Sequence, residues 1–232
     1  MDILFYSLLI VGAYLIGAIP FGFLIGKLHG VDIRTVGSGN IGATNVTRTV
    51  GKTAGKICFA LDFLKGAAPA FAAQFAYPDE SWLAFCCGAA AVAGHIFPVY
   101  LKFKGGKGIS TAAGAVLALA PLPLLGAALV WVAGFFLWRY VSLASILAAV
   151  SLPLFAWLFR FLELGPAASR SIVTLVFLCI LSLAAILRHL GNIKRLLAGT
   201  ESRFDKTSEK EEPKNAKEAA VTPEDASRKP EE

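Results

Sequence analysis

Long runs with almost no polar side chain alternate along this chain with short segments rich in Gly, Ser, Asn, Lys and Arg. A window of about 20 residues, the length a helix needs to cross roughly 30 Å of hydrocarbon, picks out apolar runs near 3–27, 57–77, 82–101, 109–121, 122–138, 143–162 and 171–188. The pattern predicts an all-α polytopic membrane protein with seven transmembrane helices. The fourth run is the short one: Ser110 to Leu119 is rich in Ala and Gly, and Pro121 and Pro123 break it from the fifth, so it reads either as a short seventh crossing or as a half-span buried in protein rather than lipid. The first run, Ile3 to Ile25, begins acidic, exceeds the usual signal-peptide core and lacks a small-residue cleavage site, which marks it as a retained span.

Composition agrees, since 56% hydrophobic and 16% charged residues in a chain of 232 are more apolar surface than a soluble domain could bury. Charge then orients the spans. Residues 1–200 hold 15 Lys and Arg against 6 Asp and Glu, whereas residues 201–232 hold 7 against 10, so the basic excess belongs to the membrane domain and not to a nucleic-acid-binding arm. Within that domain the segments 28–56, 102–108, 139–142 and 188–200 are basic, while the intervening turns carry Asp79 and Glu80, or a mixture of Arg160, Glu163 and Arg170. The bias of Lys and Arg toward cytoplasmic loops then puts the N-terminus outside and the C-terminus in the cytoplasm. A membrane domain is expected over 1–201. Residues 202–232, rich in Glu, Lys, Pro and Ala, are expected to form a disordered cytoplasmic tail without chemistry. Cys58, Cys86, Cys87 and Cys179 lie inside apolar runs with neither CxxC spacing nor His partners, so no metal site, disulfide or cofactor is expected.

All the polar, glycine-rich segments therefore fall on one face. Ser38-Gly39-Asn40-Ile41-Gly42-Ala43-Thr44-Asn45-Val46-Thr47-Arg48 combines glycines, which let backbone N–H groups approach an anion, with neutral donors and a guanidinium fork suited to phosphate. Gly94 to Gly108 carries His95, Lys102, Lys104, the Gly105-Gly106 step and Lys107. Ser142 and Ser145 stand near one turn apart after Arg139-Tyr140, and His189 and Asn192 share a face by i,i+3 spacing in the last segment. Any one basic loop is more often explained by topology and contact with anionic lipid; the four together point to an anion site. Asp62 and Lys65, three residues apart inside the second run, read as an internal ion pair.

Gly51-Lys52-Thr53 is not a P-loop end, because the required first glycine falls on Val46 and no strand precedes it. Nor does any histidine precede an aspartate by five positions: Arg34, Tyr100 and Lys194 follow His29, His95 and His189 at that offset, so the His/Asp dyad of many phospholipid acyltransferases is absent.

Taken together, the four segments resemble the bacterial membrane acyltransferases that use acyl phosphate to acylate glycerol 3-phosphate, the PlsY family. The matching signatures are S-G-N-x-G-A-T-N-x-x-R (Ser38 to Arg48), G-H-x-F-P-x-x-x-x-F-x-G-G-K (Gly94 to Lys107), the serine pair, and H-x-x-N-I-x-R-L-x-x-G-x-E (His189 to Glu201). The resemblance covers residues 1–201 and implies seven spans with the N-terminus outside. It also implies residence in the bacterial cytoplasmic (inner) membrane with the site facing the cytoplasm, and acyl phosphate, glycerol 3-phosphate and membrane lipid as partners, with no obligate protein partner evident. By the same resemblance Ser38, Arg48, Lys107, Ser145, His189 and Asn192 are catalytic, and Gly39, Asn40, Gly42, Thr44, Asn45, His95, Lys104, Gly105 and Gly106 bind substrate. Either His189 or a substrate phosphate takes the proton. The rival reading is a transporter of an anionic phosphorylated or lipid substrate, but the halves show no inverted repeat and the polar groups cluster at one face instead of the midplane. A structural scaffold would leave the Ser, Asn, Gly and His placements unexplained.

Overall fold

The computed structural model describes residues 2–204, and its regular elements are helices joined by loops, with no strand among the described residues. The chain runs through α1 (Asp2–Ala18), α2 (Phe21–Leu28), α3 (Ala43–Thr49), α4 (Lys52–Ala76), α5 (Ser81–Ile96), α6 (Ile109–Leu119), α7 (Pro121–Trp138), α8 (Val141–Phe161), α9 (Ile172–Arg188) and α10 (Leu190–Leu197). Four stretches are long and apolar enough to cross a membrane: Ile3–Leu28, Ser81–Leu101, Pro121–Trp138 and Val141–Phe161. A fifth, α9 with α10, is bent by 55° at His189. The outward side chains Ile3, Leu8, Phe75, Leu129, Phe136, Leu137 and Phe161 are exposed, as a lipid-facing surface requires.

The first apolar run, expected as a retained span, emerges as Ile3–Leu28, with one interruption of its helix. It breaks at Ile19-Pro20, because proline has no N–H to donate and excludes the helical conformation at the residue before it. The carbonyl of Ile19 left at the end of α1 accepts a hydrogen bond from Lys65 Nζ at 2.7 Å, a cation placed where the helix dipole favours one. Hydropathy alone does not register such a break, since apolar residues continue across it.

Between helices, small residues allow close approach, the usual device where lipid supplies no hydrophobic drive to association. A Cβ at Gly17 would meet the backbone of Ala91, and one at Gly94 the backbone of Tyr14 and Ala18, which locks α1 against α5. Gly66 faces Thr111 and Gly114 faces Phe63 in the same way, locking α4 against α6. With 11 residues α6 is only about 17 Å long, roughly half the hydrocarbon thickness. Its Thr111, Ala115 and Val116 are buried in protein.

Candidate active site

The loop before α3 is held by one side chain. Asn45, 1% exposed, accepts the Ser38 N–H at 2.8 Å and donates its amide to the carbonyls of Ile33 (2.8 Å) and Val36 (3.2 Å). Gly37 and Gly39 take positive φ of 60° and 67°, where a β-carbon would be strained, and so reverse the chain around that amide. Asp32 and Arg34 brace the other side of the loop through a bidentate pair at 2.9 and 2.7 Å, and these bonds pull the Asp32 carboxyl down to about 2. The outcome is that Ser38, Asn40, Gly42, Thr44 and Arg48 line one cavity of about 540 Å³.

The other three segments close the same cavity: His95 and Lys107, then Ser142 and Ser145, then His189, Asn192, Arg195 and Glu201. Lys107 Nζ donates to Asn192 Oδ1 at 2.5 Å. The Asn192 amide donates in turn to Glu201 Oε1 at 2.6 Å; Ser142 Oγ donates to the same oxygen at 2.6 Å and Arg195 Nε to Oε2 at 2.7 Å. One carboxylate thus ties the Ser142 segment to the last one, and Asn192 links Lys107 to it. Burial works to raise the Glu201 pKa, but the bonds from Ser142, Asn192 and Arg195 outweigh it and lower it. Burial pushes Lys107 down to about 8, opposed by Glu201 and reinforced by Arg195, Arg48 and Arg188. Arg48 is also lowered by burial yet stays charged, and its Nη2 donates to the Ser202 carbonyl at 3.1 Å.

His189 is buried, and burial pushes its pKa down to about 4 against the raising effect of its bond to the Ala185 carbonyl. Because that carbonyl, 2.8 Å from Nδ1, can only accept, the ring is neutral with its proton on Nδ1 and a lone pair on Nε2. Ser145 Oγ donates to the Val141 carbonyl at 2.8 Å and accepts from Trp131 Nε1 at 3.1 Å.

Five of the residues singled out from the sequence do not line the cavity. Gly39 and Asn45 shape the first loop from behind. At Gly105 and Gly106, which the resemblance implies bind substrate, the Gly106 N–H donates to the His95 carbonyl at 3.1 Å, and both glycine carbonyls accept from Arg188 at 3.2 and 3.1 Å. The Gly-Gly step therefore serves to seat Lys107. Lys104 is exposed beside it. Conversely, sequence reasoning passed over Glu201, Arg195 and Trp131 as site groups. Glu201 closes the last signature but opens a stretch dense in acids, where one more Glu reads as a solvated charge. Ser202 to Phe204, which composition assigns to the tail, pack here too: Phe204 N–H donates to the Arg139 carbonyl at 2.8 Å and Arg203 lies 5.1 Å over the Tyr140 ring. The rest of the tail lies outside the described residues. A smaller cavity of about 330 Å³, lined by Trp157, Arg160 and Arg170 at the far end of α8 from Ser142, contains none of the expected residues.

The arrangement, cations and neutral donors facing one water-accessible cavity, suits two anionic groups held side by side. Residues 7–199 match the family model described as glycerol-3-phosphate acyltransferase. The chain is 50% identical to the glycerol-3-phosphate acyltransferase of Aquifex aeolicus over 198 residues, covering 84% of this chain and 97% of that protein. It is 47% identical to that of Trichlorobacter lovleyi, over 84% of this chain and 95% of the relative. Among solved structures it resembles the crystal structure of PlsY, an integral membrane glycerol 3-phosphate acyltransferase, in its glycerol 3-phosphate form, with a TM-score of 0.77 and 46% identity over 86% of this chain and 96% of that one.

Proposed function

Because the chain belongs to the glycerol-3-phosphate acyltransferase family, we propose that it transfers a fatty acyl group from acyl phosphate to the C1 hydroxyl of sn-glycerol 3-phosphate. The products are phosphate and 1-acyl-glycerol 3-phosphate (lysophosphatidic acid), and the reaction opens phospholipid synthesis. The observation that carries this reading is the convergence of Arg48, Lys107 and Arg195 with Ser38, Thr44 and Ser142 on one cavity. Acyl phosphate is a mixed anhydride whose phosphate leaves readily, so the catalyst need only bring two anions together and stabilise the oxyanion that forms. Arg48, Ser38, Asn40 and Thr44 hold the glycerol phosphate in this scheme; Lys107, steadied by Asn192, meets the acyl phosphate and the developing charge. The test is purified protein with both substrates, following free phosphate. Release that requires glycerol 3-phosphate is expected, and turnover at the same rate with acyl-CoA or acyl carrier protein would refute the donor.

The membrane arrangement proposed with it is seven spans in the bacterial cytoplasmic membrane, with the N-terminus outside and the cavity facing the cytoplasm. It is supported by the basic loops that surround the cavity. A tag at the N-terminus is expected to be reachable on intact cells and one after Phe204 only after permeabilisation. Both tags on one side would remove α6 from the count of crossings.

The proton leaves to a substrate phosphate in this scheme. With a pKa near 4, His189 is a weaker base than a phosphate whose second pKa is about 6. The acidic limb of the kcat/KM profile is expected near pH 6, with activity falling as the phosphate protonates, and it is expected to persist in His189→Ala. A limb near pH 4 that disappears in that variant would assign the proton to His189.

A further inference from the structure

Beneath the glycine loop lies a buried ionic cluster to which acyl transfer, as derived above, gives no task. Asp62 and Lys65 face inward one turn apart on α4, at 1% and 3% side-chain exposure, with Lys65 Nζ 2.7 Å from Asp62 Oδ1. Lys65 is fully accounted for by this carboxylate and by the Ile19 carbonyl at the break between α1 and α2. Asp62 is not. The same Oδ1 lies 3.6 Å from Nδ1 of His95, a ring 3% exposed on α5, and Oδ2 accepts from the Cys58 thiol at 3.6 Å. At 3.6 Å the imidazole contact is too long for a direct hydrogen bond, and Nδ1 finds no other partner among the described residues. It is close enough, however, for the carboxylate to favour the tautomer with its proton on that side.

The opposite edge of the same ring faces the cavity. A Cβ on Gly106 would collide with Nε2 of His95, and the His95 carbonyl accepts the Gly106 N–H at 3.1 Å. The loop that presents Lys107 therefore rests on His95 from both its backbone and its ring, and the ring in turn rests on Asp62. A carboxylate and an imidazole are thus brought together here from α4 and α5, although no pair of them is adjacent in sequence.

We propose that Asp62 is a positioning residue: its carboxylate fixes the His95 ring with the proton on Nδ1 and Nε2 turned toward Gly106 and the cavity, which sets the height at which Lys107 meets Asn192. Lys65 neutralises that carboxylate inside the membrane and ties it to the end of α1. The activity arm of this proposal rests on the acyl-transfer reading; its spectroscopic arm does not.

The spectroscopic arm uses the whole chain in detergent, labelled with ¹⁵N-histidine. The sequence holds three histidines, so the His95 signals are assigned by their loss in His95→Asn. The expected result is a His95 ring with its proton on Nδ1 and Nε2 bare; the opposite tautomer, an even mixture or a ring protonated on both nitrogens overturns the proposal whether or not acyl phosphate is the donor. In the activity arm, Asp62→Asn alone strands the Lys65 charge, so the variant to measure is Asp62→Asn with Lys65→Met, which removes both charges at nearly constant shape. It is expected to melt cooperatively while losing about 10- to 100-fold in kcat, the usual effect of releasing a group that orients a working side chain, with KM little changed. Added to His95→Asn, the same pair of changes is expected to cost less than about twofold, because the ring they orient is gone. Wild-type kcat in the double variant, or losses that multiply in the His95→Asn background, would reduce Asp62 to a structural ion pair. Absence of turnover by the wild-type protein would instead strike the donor assignment and leave the tautomer to decide the role of Asp62.

Discussion

Lys107→Ala is expected to lower kcat/KM for glycerol 3-phosphate acylation by about 10²- to 10³-fold, the loss of roughly 3–4 kcal/mol that follows removal of one oriented donor from a partly dehydrated oxyanion site. Three observations set this expectation. Lys107 lines the cavity between the first and last signatures, its ammonium is steered by Asn192 Oδ1 at 2.5 Å, and the loop carrying it is pinned by His95 and Arg188. The same burial makes the cation titratable in a useful range. Its pKa is lowered to about 8, so the charged form holds below that value and is lost as pH rises through it. In kcat/KM, which reports the free enzyme, an alkaline limb is expected near pH 8; in kcat the limb moves up, because a bound phosphate favours the protonated amine. Lys107→Arg separates charge from shape. Arginine stays protonated, so whatever activity that variant retains is expected to show no limb near pH 8. A limb that persists there assigns the titration to another group.

Much of the fold was legible because one signal, apolar run length, controls it. The runs read at 122–138 and 143–162 emerge as Pro121–Trp138 and Val141–Phe161, and the short Ala- and Gly-rich run emerges as the buried α6. What hydropathy misses is backbone chemistry: the break at Pro20 sits in uninterrupted apolar sequence, and only the missing N–H reveals it. The site divides in the same way. Residues whose chemistry is carried by their own type, Arg48, Lys107, Ser145, His189 and Asn192, could be singled out from their signatures, and the structure brings them to one cavity. Residues whose role depends on what they touch could not. Asn45 looks like a ligand group and acts as the clamp of its loop, while the glycines at 105 and 106 spend their polar groups on His95 and Arg188. Asp62 reads as one half of a helix ion pair until α5 brings His95 to its other side.

Glu201 offers the second large effect, and its sign is informative. On charge alone, deleting a carboxylate beside Arg48, Lys107 and Arg195 makes the cavity more positive, and anionic substrates should bind more tightly. The hydrogen bonds predict the reverse. Oε1 accepts from both Ser142 and Asn192 at 2.6 Å and Oε2 accepts from Arg195 at 2.7 Å, so Glu201→Ala leaves three donors without an acceptor and frees the Asn192 amide to turn away from Lys107. With each bond to a charged group contributing about 1.5–3 kcal/mol, a loss of about 10²-fold or more in kcat/KM is expected, together with a lower melting temperature. Glutamine at this position divides the two functions of the carboxylate. Its carbonyl oxygen can still accept from Ser142 and Asn192, but its NH₂ then faces the Arg195 Nε–H, donor against donor. Activity is therefore expected in the order wild type, Glu201→Gln, Glu201→Ala. Equal activity in the two variants would make the negative charge itself the active element, and tighter glycerol 3-phosphate binding with unchanged kcat in Glu201→Ala would show that Glu201 opposes substrate instead of organising the groups that hold it.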